Sequence, residues 1–149
     1  MVNKKDLVVS CIELIQVKID RAKKGMDEAQ ASANNETKSS AGDKYETGRA
    51  MSQRERDLHA RQLAELLNAK KTLSTINAKK TCDSVELGAM VCTTSHNFFI
   101  GVSLGELTFK NEKIMVISAI SPIAQAMLGK SNGDFFDWMK KQENILSVA

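Results

Sequence analysis

From Lys4 onward, apolar residues fall at Leu7, Cys11, Leu14, Ile15, Ile19, Ala22, Met26, Ala29 and Ala33. That recurrence every three or four residues is one face of a helix. No proline or glycine interrupts the chain before Gly25, and the residues between are good helix formers, so a helix is predicted from Lys4 to about Ala33. Turn formers then break the stripe over residues 34–43, where Asn34, Asn35, Ser39, Ser40, Gly42 and Asp43 cluster. A second helical stretch follows from about Lys44 to Ile76, with Tyr45, Met51, Leu58, Leu63, Leu66, Leu67, Leu73 and Ile76 as its apolar positions. Two helices of similar length joined by a short polar segment bury each other's stripe by folding back as an antiparallel hairpin. At 1.5 Å per residue each would be roughly 45 Å long, a projecting rod. The small residues near 29–50 predict a slender tip.

Beyond Ala78 the period changes. Val85, Leu87, Ala89 and Val91, then Phe98, Ile100, Val102 and Leu104, then Ile114, Val116, Ser118 and Ile120 alternate as half-buried strands do. Ser121–Gly129 reads as a short helix, with serine at the N-cap, proline in the first helical position and glycine just past the end. Asn132-Gly133-Asp134 is a turn before a last apolar segment at Phe135, Phe136 and Trp138. The expected fold class is therefore α+β: a coiled-coil hairpin over residues 1–78, with its tip near 34–43, and a β-rich domain over residues 79–149. A domain comprising residues 79–149 alone is expected to fold once the hairpin is removed.

Composition narrows the function classes. The 149 residues are 42% hydrophobic and 26% charged, too apolar for wholesale disorder. No apolar run approaches the roughly 20 residues of a membrane span, and Leu7 to Ile19, broken by Glu13, Gln16 and Lys18, is no secretory core. The expectation is a cytoplasmic protein with no membrane partner. Three cysteines, Cys11, Cys82 and Cys92, lack CxxC spacing, which argues against a disulfide framework or a zinc site. Residues 1–80 hold 16 Lys and Arg against 11 Asp and Glu, whereas residues 81–149 hold 5 against 7. An excess of that size is a solvated helical surface rather than a duplex-binding footprint.

Chemistry-bearing constellations are few. His59 and His96 have no carboxylate or cysteine at ligand spacing, and read as surface or core-edge residues. Ser39-Ser40 lacks the glycines of a nucleophile elbow, and Gly129-Lys130-Ser131 lacks the upstream glycine of a phosphate loop. The hairpin tip differs. Glu36, Asp43 and Glu46 stand among Lys38, Lys44 and Arg49, and acids three apart, such as Asp43 and Glu46, can share a hard cation such as Mg²⁺. A rod ending in charged residues on a globular base suits the probing of a deep channel in a partner.

These features together resemble the bacterial Gre transcription elongation factors over nearly the whole chain. Ser121-Pro122-Ile123-Ala124-Gln125-Ala126-Met127-Leu128-Gly129-Lys130, followed by Gly133-Asp134, is similar to the family's C-terminal Ser-Pro-Ile signature. Val85–Val91 resembles the segment opening the same domain, and Tyr45-x-x-x-Arg49 matches the pattern after the tip. The resemblance implies an FKBP-like C-terminal domain that docks on RNA polymerase at the rim of its secondary channel. Ser121, Pro122, Ile123, Gly129 and Lys130 are then the partner-binding set there, with Lys38, Lys44, Tyr45 and Arg49 at the tip. The coiled coil would enter the channel, near the nascent RNA and DNA of the elongation complex. In cleavage-stimulating members the tip acids help hold an Mg²⁺ shared with the polymerase active site, where the polymerase hydrolyses its own backtracked transcript. The factor itself would be an accessory, not an enzyme, with no cofactor of its own, and a monomer.

The tip departs from the family pattern. With Tyr45 and Arg49 in register, the two acid positions fall on Lys38 and Ala41, and the segment is longer, counted from Glu28-Ala29. Either Asp43, Glu46 or Glu36 supplies the carboxylates instead, or the protein occupies the channel as a cleavage-incompetent regulator. Two further readings come from other classes. An FKBP-like peptidyl-prolyl isomerase would need an aromatic-lined pocket, and aromatics are few: Phe98, Phe99, Phe109, Phe135, Phe136 and Trp138. A dimerising coiled-coil adapter is disfavoured by the break at 34–43.

Overall fold

A computed structural model describes residues 2–36 and 42–149, with side chains described for 2–35 and 47–149. Two long helices, α1 (Lys4–Glu36) and α2 (Gly42–Thr75), precede strands β1 (Met90–Thr93), β2 (Asn97–Gly101), β3 (Gly105–Phe109) and β4 (Glu112–Ser118). A short helix α3 (Pro122–Met127) and strands β5 (Phe135–Trp138) and β6 (Lys141–Val148) complete the chain. The class is α+β, a helical hairpin followed by a six-stranded β domain, as expected. None of the described helices is long and apolar enough to cross a membrane.

Compactness divides the chain differently from hydrophobic period. One unit comprises residues up to Ile12 together with Lys71–Ala149, and the other comprises Glu13–Lys70. The change of period near residue 78 marks where helix gives way to sheet. The edges of the compact units fall inside the helices.

In the Glu13–Lys70 unit the two helices run antiparallel. Lys70 Nζ donates to Gln16 Oε1 at 2.7 Å, and farther along α1 Gly25 faces the His59 ring. Ile15, Ile19, Ala22, Ala29 and Ala33 are buried along α1, so the stripe shifts from large to small side chains as predicted. On α2 the inward face runs through Ser52, His59, Leu63 and Leu66, all half-buried. Met51, Leu58 and Leu67, expected in the stripe, instead lie 64%, 46% and 47% exposed. Each residue turns a helix by about 100°, so a face that includes His59 and Leu66 must carry Leu58 and Leu67 away from it. The break is also shorter than expected. Asn34, Asn35 and Glu36 continue α1, and Gly42 and Asp43 already belong to α2. Gln30 Nε2 donates to Asn34 Oδ1 at 3.2 Å, one i,i+4 contact favouring continuation. Residues 37–41 lie outside the described ones.

Gly25 is where the hairpin admits an imidazole. A Cβ there would sit 2.7–2.9 Å from three ring atoms of His59. Alanine normally gains up to about 1 kcal/mol over glycine inside a helix. Here overpacking of roughly 1–3 kcal/mol opposes that gain. Gly25→Ala alone is therefore expected to lower the melting temperature, while Gly25→Ala with His59→Ala recovers the loss. A double-mutant cycle by thermal denaturation measures the coupling, and additive effects would exclude the contact.

In the other unit, Asn3 caps α1 by accepting from Lys5 N at 2.9 Å. Helix α2 ends without glycine or proline. The hydroxyls of Ser74 and Thr75 donate to the carbonyls of Lys71 and Thr72 at 2.7 and 2.6 Å, and the Thr72 carbonyl is one of the four the helix end leaves open. The sheet order is β3-β4-β2-β1-β6-β5, with β2 and β4 parallel and every other pair antiparallel. Strand β2 is buried on both faces. Phe98 and Ile100 join a cluster with Val91, Ala124, Met127, Phe136 and Ile145. Phe99 points the other way, and a Cβ on Gly101 would meet its ring at 2.9 Å and Leu73 Cδ2 at 3.6 Å. The end of α2 thus covers the face opposite α3. At the start of α1, Lys4 Nζ donates to Lys80 O at 2.7 Å and to Ala149 O at 3.3 Å, tying three parts of the unit together.

Several predicted strands shift. Val85, Leu87 and Ala89 lie outside β1, because Gly88 adopts φ 92° and breaks the pleat. Val102 and Leu104 lie past the end of β2, and Gly105, at φ 77°, opens β3, a strand the alternation did not signal. The hairpins β3–β4 and β5–β6 turn at Lys110-Asn111 and Met139-Lys140, each residue with positive φ. Such turns usually carry glycine, which is why no pattern announced them.

Candidate functional site

The tip residues divide by what the structure describes. Lys38 lies outside it. Glu36 ends α1, and Asp43, Lys44, Tyr45 and Glu46 lie in the first turns of α2, with their side chains outside the described set. Arg49 is exposed on α2. Among the described residues no group of three His, Cys, Asp or Glu side chains could hold a metal ion.

The C-terminal signature is described in full, and most of it builds the fold. Ser121 Oγ donates to Ser118 O at 2.7 Å and accepts from Ala124 N at 3.4 Å, capping α3. Pro122 takes the first helical position. Gly129 at φ 80° and Gly133 at φ 91° occupy conformations that side chains resist. Asp134 Oδ2 accepts from Ser131 N at 2.7 Å and closes the following turn. Gly129 N donates to Val85 O at 2.9 Å and Val85 N to Lys130 O at 2.8 Å, which locks the signature to the segment that opens the domain. Lys130 is half-buried, and Ile123 lines a cavity.

That cavity, about 520 Å³, lies between α3, β5 and the β1–β2 turn. Its apolar wall comprises Phe98, Met115, Ile123, Phe136, Trp138 and Met139, and its polar edge Ser95, His96, Lys141 and Glu143. The β5–β6 register sets Phe136 opposite Glu143 and Trp138 opposite Lys141, so aromatic and charged groups share one sheet face. The hydroxyls of Thr94 and Ser95 both donate to Glu143 Oε2, at 2.7 and 2.9 Å. These donors, Thr94 first, hold the Glu143 carboxyl below its usual range, helped by His96 and Lys141. His96 Nδ1 lies 2.9 Å from Ser95 Oγ. An apolar hollow with a few convergent polar groups is the usual form of a binding site.

Sequence reasoning singled out Phe98, Phe136 and Trp138 as scarce aromatics but did not see them converge, and it passed over Glu143 and Thr94. No sequence signal could have found them, because the pairing of Glu143 with Phe136 depends on a hairpin turn without glycine and the Thr94 contact on the order of the strands. His59 is half-buried in the hairpin and His96 is exposed, matching the core-edge and surface reading. Burial pushes the Cys11 thiol up to about 11 and raises that of Cys82, which disfavours the thiolate form of both.

No protein-family model matches the sequence, and neither does any curated protein. A solved structure, described as that of the transcription factor Gfh1, is similar: 18% identical, with 92% of this chain and 92% of that chain covered and a TM-score of 0.36.

Proposed function

We propose that this chain is a transcription elongation factor of the Gre type. It binds RNA polymerase, with the β domain docking at the rim of the secondary channel and the hairpin entering it. The observation that carries the reading is the Ser121–Asp134 signature, realised as a capped helix whose Ile123 lines an aromatic-walled cavity. An antiparallel helical hairpin precedes that domain, as the reading requires. Ile123 and Lys130 are the docking residues, and Ser121, Pro122 and Gly129 hold them in place. Asp43 and Glu46, three apart near the start of α2, carry the oxygen donors a hard cation takes, and would share an Mg²⁺ held mainly by the polymerase. Their carboxylates would orient around that ion, while Lys38 and Ala41 at the family's acid positions contribute none. Weak or absent stimulation of transcript cleavage is therefore the expectation, and slowing of elongation by channel occupancy is the alternative output.

The experiment compares wild type with Asp43→Asn/Glu46→Gln on a backtracked elongation complex, beside a polymerase-binding control. Any cleavage stimulated by wild type is expected to fall at least tenfold in the double variant, with binding unchanged. Equal strong cleavage by both would move the site to Glu36. Failure of the wild type to bind polymerase would sink the proposal.

A second reading draws on the cavity. Phe98, Phe136 and Trp138 form the aromatic lining a peptidyl-prolyl isomerase needs. An isomerisation assay on a proline model peptide decides it, and no acceleration over the uncatalysed rate removes that reading.

A further inference from the structure

We infer that the cavity beside α3 recognises a peptide segment pairing an apolar side chain with a basic one, and that Glu143 reads the basic residue. The inference rests on the docking role proposed for this domain and names the chemistry of the partner surface.

Four observations support it. Glu143 alternates with Ile145 on β6 and lies opposite the buried Phe136, which sets its carboxylate at the cavity's polar edge beside the apolar wall. Its carboxylate is positioned rather than loose: Thr94 and Ser95 reach Oε2 from a different loop, at 2.7 and 2.9 Å. Both donors favour the ionised form, so a fixed negative charge stands at the edge of an apolar hollow. Met139 also lines the hollow, is 81% exposed, and occupies a turn position with φ 50°. A large apolar side chain in a left-handed turn position, turned to solvent, gives the isolated fold nothing and gives a docking segment an apolar rim.

Lys141 and His96 are the cations on the same edge. Lys141 is exposed at the end of β6, and no ion pair joins it to Glu143 within 4.0 Å among the described residues. His96 is turned to the Ser95 hydroxyl. A basic residue entering over Trp138 would meet both the carboxylate and an aromatic face, an arrangement that favours arginine.

Trp138 is the sole tryptophan in the chain and reports on the cavity directly. The full chain is titrated with three blocked tripeptides, two leucines followed by arginine, glutamine or glutamate, with Trp138 emission as the signal. The arginine peptide is expected to bind at least tenfold more tightly than the glutamine peptide, and the glutamate peptide most weakly. Glu143→Gln keeps an oxygen to accept from Thr94 and Ser95 but loses the charge. It should leave the protein folded, with a small fall in melting temperature from weakening the charge-assisted hydrogen bonds, and abolish the preference for arginine. Glu143→Asp should retain part of it. Equal binding of the three peptides, an arginine preference surviving in Glu143→Gln, or no Trp138 response to any peptide at millimolar concentration would each overturn the inference. A parallel measurement with purified bacterial RNA polymerase separates the two proposals. If polymerase binds wild type and Glu143→Gln equally, the charge reading fails and the elongation-factor reading stands. If the arginine peptide discriminates but polymerase does not bind, the elongation-factor reading fails and the recognition chemistry stands.

Discussion

The fragment 79–149 is expected not to unfold cooperatively, despite containing every strand. Strand β2 and its neighbour β4 bury Phe99, Ile114 and Val116 essentially completely. The Leu73 side chain lies over this region, beside Phe99 and Gly101, and it belongs to α2. Leu7, Val8 and Cys11 of α1 are buried within the same compact unit. Burial of one large aliphatic side chain stabilises by roughly 1.5–3 kcal/mol. Removing several such side chains costs on the order of 6–10 kcal/mol, comparable to the whole stability of a typical domain at roughly 5–15 kcal/mol. The fragment also loses Lys4, whose ammonium bridges Lys80 O and Ala149 O. Near-ultraviolet circular dichroism and a thermal scan are the checks. A sharp, reversible transition in the isolated fragment would show that residues 79–149 form a domain without the helix ends, as the change of hydrophobic period alone suggests.

A single side chain tests the same packing in the intact protein. Leu73 is 0% exposed, whereas Leu67, less than two turns earlier on α2, is 47% exposed. Leu73→Ala should destabilise by about 3 kcal/mol, because transfer and cavity terms add where the surroundings cannot collapse. For a chain of this size that corresponds to a fall in melting temperature of roughly 10 °C. Leu67→Ala should stay within about 0.5 kcal/mol of wild type, as exposed substitutions usually do. Both variants keep the helix propensity of the segment, so the contrast isolates burial. Similar losses in the two variants would mean that α2 presents a different face inward.

The element types and their order along the chain were legible without coordinates. A stripe from Leu7 to Ala33 can only be one helical face, and Ser121, Pro122 and Gly129 announce α3 by local chemistry that holds wherever the segment sits. The signature was equally legible, since each glycine in it answers a backbone requirement set within a few residues. Tertiary structure decided the rest. Leu58, Leu67 and Leu73 carry the same side chain on the same helix, and only the partner surface determines which is buried. Helix continuation through Asn34 and Asn35 went against weak local propensity. The glycine-free turns at Lys110-Asn111 and Met139-Lys140 were closed by strand pairing rather than by turn residues. The cavity most of all was beyond reach of spacing. Its walls come from β2, β4, α3 and β5, and the Glu143 carboxylate is held by hydroxyls 48 and 49 residues away. Contacts at that separation depend on the sheet order β2-β1-β6-β5, and periodicity, which reports only which way each residue faces within its own element, carries no information about which elements become neighbours.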